Sequence, residues 1–145
     1  MKRLEDWILR LLGSVLGLAA IGCVGAPAYG TPAPEYGAPH ATYHLGGTVT
    51  DAATGTPIPG IRITFWNYAE ATTCSGQDGT FALNATTSYC PSCPAKAADV
   101  DGTLNGSYQD KDIPLTLVQT APGDGRWNFG TYEQKGMAIK LDPKP

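Results

Sequence analysis

From Thr42 to Thr50 the chain sets Leu45, Gly47 and Val49 on one face and His44, Thr48 and Thr50 on the other. A period of two marks a half-buried strand, because successive side chains leave opposite faces of the pleated backbone. Gly60 to Trp66 repeats the pattern, with Ile61, Ile63 and Phe65 inward and Arg62, Thr64 and Trp66 outward. Between them, residues 51–60 (DAATGTPIPG) form a turn cluster of Asp, Thr, Gly and Pro. Thr72–Cys74, the turn Gly76–Gly79 and Thr80–Leu83 read as a hairpin that buries Phe81 and Leu83. Two more strands are predicted at Ile113–Gln119 and Gly136–Leu141, the second with Met137, Ile139 and Leu141 alternating. No helical stretch follows residue 22. Five or six short strands separated by turns predict an all-β fold, a small sandwich.

Composition agrees. The 145 residues include 18 glycines and 12 prolines but only 16% charged residues, which favours turns and short strands over long helices. Lys2, Arg3 and Arg10 lie before residue 23, as do Glu5 and Asp6, so seven of the ten bases and 11 of the 13 acids follow it. That leaves the remainder at −4, and phosphate binding needs a basic surface, so nucleic acid is excluded as a partner. The two histidines, His40 and His44, both precede the predicted domain or stand at its start, which nearly excludes histidine-based catalysis.

The N-terminus has its own logic. A modestly basic Met1–Arg10 precedes the uncharged LLGSVLGLAAI of residues 11–21. A basic segment, an apolar run of about 7–15 residues and a small residue before the cut are the parts of a secretory signal. The run is too short for a membrane span, which takes about 20 residues. Its end, LAAIGC at residues 18–23, resembles a bacterial lipobox. That resemblance implies lipidation at Cys23, although Ala20 stands where Leu or Val is usual. The plainer alternative is an ordinary cleaved signal with Cys23 incidental. Two or more acyl chains give a stable anchor where one does not. Val24 is not acidic, so the retention signal for the inner membrane is missing and an outer-membrane location is expected. Residues 24–40 hold four prolines and three glycines, the composition of a semi-extended spacer that would hold the domain off the lipid. The expected organisation is a signal peptide at 1–22, a tether at 23–40 and a β-sandwich at 41–145.

Three segments carry a wider resemblance: GTVTD at 47–51, GTPIPGIRI at 55–63 and SGQDGTF at 75–81. They look like the pattern of carboxypeptidase regulatory-like domains, which are prealbumin-like, seven-stranded sandwiches akin to Cna-B repeats. With YGAPHATY at 36–43 and DVDGTLNG at 99–106, the chain resembles radical SAM-associated lipoproteins of Bacteroidetes-type bacteria. The resemblance implies a location and a neighbouring radical SAM enzyme as partner, not an activity.

Four groups of residues could carry chemistry. Cys90 and Cys93 have redox-motif or half-zinc-site spacing, but Pro91 and Pro94 surround them and no helix is signalled to lower a thiol pKa. In an oxidising envelope the expectation is a structural disulfide, Cys74 with Cys90 or Cys93, leaving one thiol free. Asp99, Asp101 and Asn105, with Asp110 and Asp112 beyond, could offer oxygens to calcium. The terminal Glu of an EF-hand loop is absent, however, and Asp-Gly and Asn-Gly are turn formers first. His40 and His44 would lie about 13 Å apart on a strand and are expected to be solvated side chains. Trp66, Trp127, Phe129 and Tyr132 are expected to pack in the core or an interface. A platform for sugar rings is the sharper alternative.

Without a catalytic constellation, the first expectation is a non-enzymatic, lipid-anchored envelope protein whose sandwich is an interaction or scaffold module, with no cofactor. A carbohydrate-binding module comes second and a thiol-disulfide protein using Cys90 and Cys93 third.

Overall fold

The computed structural model describes residues 37–145, so the signal segment, most of the tether and Cys23 lie outside the described residues. Eight strands fill the rest. They are β1 (His40–Asp51), β2 (Ile61–Phe65), β3 (Thr72–Cys74), β4 (Thr80–Ser88), β5 (Ala95–Asp99), β6 (Lys111–Ile113), β7 (Val118–Ala121) and β8 (Asn128–Leu141). Two four-stranded sheets result, one ordered β4-β1-β8-β7 and the other β3-β2-β5-β6. The all-β sandwich is the architecture.

Alternation builds the core as expected. Ala41, Tyr43, Leu45 and Val49 of β1 face Ile61, Ile63 and Phe65 of β2, joined by Phe81, Leu83, Met137, Ile139 and Leu141, and all are buried. Each large side chain removed from water contributes roughly 1.5–3 kcal/mol. The first and last long strands, β1 and β8, run parallel at the centre of their sheet, and the register slips between Leu45 and Gly47. At that slip a Cβ on Gly47 would collide with the Met137 backbone, so the close approach requires glycine.

Two expectations are corrected. Thr72–Cys74 and Thr80–Leu83 are not a hairpin. β3 pairs with β2, and β4 pairs with β1 in the other sheet. Ser75 explains the split: its buried hydroxyl donates to the Ile58 carbonyl at 2.7 Å and accepts from the Ile61 N–H at 2.9 Å. That pins the end of β3 to the start of β2. The turn at 76–80, closed by Gly79 N–H to Gly76 O at 2.9 Å, then carries the chain to the opposite sheet. Second, Ile113–Gln119 is not one strand. β6 ends at Ile113 in one sheet and β7 begins at Val118 in the other. Pro114 cannot donate to a ladder, and Leu115 and Leu117 pack half-buried against the core as the chain crosses. Ala95–Asp99 is a further strand that alternation did not signal, since Ala, Lys and Asp are weak strand formers. Burial of Ala95 and Ala97 between β2 and β6 decides it.

Candidate functional site

The strands run so that the sandwich has two unlike ends. At one, β1 begins, β4 and β2 finish, and β5 and β8 start. Aromatic rings gather there. Tyr43 and Phe65 join the two sheets with centroids 4.3 Å apart, Tyr68 lies 6.2 Å from Phe65, and Tyr132 is 6.0 Å from Tyr43. Tyr89 stacks on Phe129 at 4.1 Å. Offset aromatic pairs of this kind add roughly 0.5–1.5 kcal/mol beyond their buried area. The Tyr43 hydroxyl accepts the Cys90 N–H at 2.8 Å, so the innermost ring also fixes the loop over it. Burial raises the Tyr43 pKa against that bond. Tyr132 is pushed up to about 12, first by its contact with the Tyr89 hydroxyl and then by burial. Both phenols therefore stay neutral in the physiological range.

Of the outer aromatics expected in the core or an interface, Trp66, Trp127 and Phe129 are not in the core. Trp66 is 42% exposed, Trp127 49% and Phe129 36%; of that set only Tyr132 is half-buried. Trp66 sits just past β2 with φ of 53°, a left-handed conformation that is a genuine outlier for a bulky residue. Its N–H bonds to the Pro94 carbonyl at 2.9 Å. Trp127 lies beside the start of β1: its carbonyl accepts the His40 N–H at 2.8 Å, and its ring lies alongside Gly37. The structure thus brings Trp66 and Trp127, 61 positions apart in sequence, to one end on opposite sheets. Alternation after Phe65 points Trp66 outward, but no such pattern precedes Trp127, and nothing in the spacing places the two together.

The expected cysteine pairing is also corrected. Cys90 bonds to Cys93, between the end of β4 and the start of β5. Cys74 sits at the end of β3 opposite Arg62, and no cysteine among the described residues is a free thiol. Cys93 is buried while Pro91 and Ser92 form the exposed tip of the loop.

The opposite end is polar. Asp51 closes it by accepting the Ala53 and Thr54 N–H groups at 2.7 and 3.0 Å and the Tyr108 hydroxyl at 3.1 Å. The backbone N–H bonds from Thr54 and Ala53 are the main causes that lower its pKa. Of the calcium candidates, Asp99 accepts the Tyr108 N–H at 2.8 Å, and Asp101 accepts from the Asn105 amide at 2.9 Å. Burial, and then the adjacent Asp99 carboxyl, raise Asp101. One Asp99 oxygen is buried without a hydrogen-bond partner. Asp110 instead pairs with Lys96 at 3.2 Å, and Asp112 stands opposite Lys96 on β5. Among the described residues no group of three or more His, Cys, Asp or Glu converges. These oxygens mostly hold their own turns.

His40 and His44 lie on the outer face of the β1 sheet, not in a shared cluster. His44 bonds to Asn84 across the strand and His40 to the Ala38 carbonyl. A cleft of about 290 Å³ between β6 and β8 is floored by Ile113, Met137 and Ile139 and edged by Lys111 and Lys140. The Lys111 ammonium is already held by the Lys140 carbonyl at 2.8 Å.

No family model matches the chain, and no curated protein does. Among solved structures it is similar to a protein of unknown function from Bacteroides fragilis NCTC 9343, provisionally described as membrane-associated. Identity is 18% and the TM-score 0.42, over 72% of this chain and 29% of that one. This chain therefore spans under a third of that protein's length. A superposition that loose establishes neither a shared site nor shared chemistry.

Proposed function

We infer that this protein is a non-enzymatic lipoprotein of a bacterial cell envelope, anchored through Cys23 and presenting its sandwich as an interaction module. The observation that carries the reading is the order of parts. A lipobox-like LAAIGC at 18–23 is followed by a Pro- and Gly-rich spacer, and the first strand of a closed sandwich then opens at His40. Val24 favours the outer membrane. The radical SAM enzyme as partner rests on the motif resemblance alone, with no family match beside it.

The experiment is palmitate labelling and detergent-phase partitioning of the native protein, with and without an inhibitor of lipoprotein signal peptidase, alongside Cys23→Ala. Label is expected on the native protein, absent from Cys23→Ala, and retained on a longer, uncleaved form in the inhibited protein, because the sulfur is acylated before the cut. A native protein that takes no label, or a label that survives Cys23→Ala, overturns the reading. So does non-reducing peptide mapping that finds Cys23 bridged to Cys74, because a sulfur carrying a diacylglyceryl thioether cannot also form a disulfide.

A further inference from the structure

We propose that the aromatic end of the sandwich is a lipid-contact face, with Trp66 and Trp127 seated in the headgroup region of the membrane that holds the anchor. The inference rests on the lipid-anchor reading and reverses one expectation drawn from the sequence, that the tether keeps the domain off the bilayer.

Three observations carry it. The first is where the chain enters. Gly37 lies alongside the Trp127 ring and His40 bonds to the Trp127 carbonyl, so the tether reaches the sandwich at the aromatic end. Cys23 is 14 residues before Gly37. That length averages about 20 Å as a flexible coil and reaches about 43 Å as an extended polyproline-type spacer. A 12-residue strand such as β1 is itself about 40 Å long. For the far end to face the lipid, the tether would have to run nearly straight along the whole sandwich; the aromatic end meets the lipid without extension.

The second is the chemistry of the rim. Trp66 and Trp127 are both more than 40% exposed; Trp66 bonds to Pro94 just after the Pro91–Ser92 tip, Trp127 bonds to the start of β1, and Phe129 stacks on Tyr89. Tryptophan pairs an apolar ring with one N–H donor, and this combination concentrates at membrane–water interfaces. Trp66 is held outward in a left-handed backbone conformation, a cost that persists where the surroundings or a function require it.

The third is charge. The loops at the aromatic end carry Glu70, Asp124 and Arg126, and Asp124 spends its carboxylate on the Arg126 and Asn128 N–H groups of its own loop at 2.9 and 3.1 Å. The other end carries Asp51, Asp78, Asp99, Asp101 and Asp142 against Lys140 and Lys144. An anionic membrane surface repels that end and leaves the aromatic one free to approach.

The mature chain from Cys23 offers a direct readout. Trp7 precedes the cut, so Trp66 and Trp127 are its two tryptophans. The lipid-bearing protein is placed in phosphatidylethanolamine–phosphatidylglycerol vesicles, with and without bromine on the upper acyl carbons. Contact predicts about a twofold loss of tryptophan emission in the brominated vesicles, given interfacial burial of roughly 5–10 Å. Trp66→Phe and Trp127→Phe each leave one reporter, and both single variants should still be quenched. Equal emission in the two vesicle types, with the protein still vesicle-bound, overturns the lipid face and leaves the anchor standing. Failure to bind vesicles at all removes both. Emission that responds to soluble oligosaccharide but not to brominated lipid assigns the rim to glycans and also overturns the proposal.

Discussion

The two ends of this sandwich are closed by different physics. At the aromatic end, rings span the sheets: Tyr43 meets Phe65 across the interior while Tyr89, Phe129 and Tyr132 extend the cluster outward. At the acidic end, carboxylates accept from turn amides and from Tyr108. Ring contacts are insensitive to pH and lose value only when area or shape is removed. Carboxylate caps are short-range, directional and dependent on ionisation. The difference teaches where each end can be exposed: rings left over at a closed end become a surface, whereas acids left over become self-satisfied turns.

The largest effect should come from the ring that ties the sheets together. Tyr43→Ala removes the contacts with Phe65 and Tyr132 and the acceptor for Cys90, and should cost about 3–5 kcal/mol in denaturant unfolding. A loss below about 1 kcal/mol, the worth of a single hydrogen bond, would show that the aromatic end is not held by its rings.

The Cys90–Cys93 bridge should matter less, because it closes a short loop. The chain-entropy relation gives about 2 kcal/mol for four residues. The Cys90→Ser/Cys93→Ser variant should therefore fold, with a lower unfolding midpoint. A wild-type bridge that glutathione at envelope potentials opens and recloses, with no change in midpoint, would favour the thiol-disulfide reading.

The smallest effect belongs to the acidic end and has opposite signs within it. Asp51 and Asp78 have folded pKa values held down by hydrogen bonds. Their stabilisation is complete above the ordinary Asp value of about 3.9 and is lost as pH falls through the folded values. Asp101 is raised by burial and by Asp99. Its contribution is present below that ordinary value and is lost as pH rises through the folded one. Asp101→Asn keeps an oxygen for Asn105 and drops the repulsion, so it should raise Tm at pH 7 by a few degrees, about what a sub-kilocalorie change gives. The gain should disappear below about pH 4. A gain that persists there would show that charge is not its source.

Much of the fold was legible where alternation was strong. Ile61, Ile63 and Phe65, and Met137, Ile139 and Leu141, are buried as their spacing predicts. The strand at Ala95–Asp99 was not, because small and charged residues carry no such signal. The aromatic end was half legible: Trp66 reads outward from its position after Phe65, whereas Trp127 and Phe129 precede any clear alternation. The Cys90–Cys93 pairing was among the bridges that four cysteines allow, and spacing alone could not choose it.

What the chain by itself determined is local: which stretches alternate and where Gly and Pro reverse direction. Partnership was decided only in three dimensions. Whether Thr80 onward pairs with β3 or β1, and whether Trp66 and Trp127 share an end, depends on contacts between residues tens of positions apart. Periodicity reports a residue's face, but burial against a distant strand decides its sheet and its neighbours.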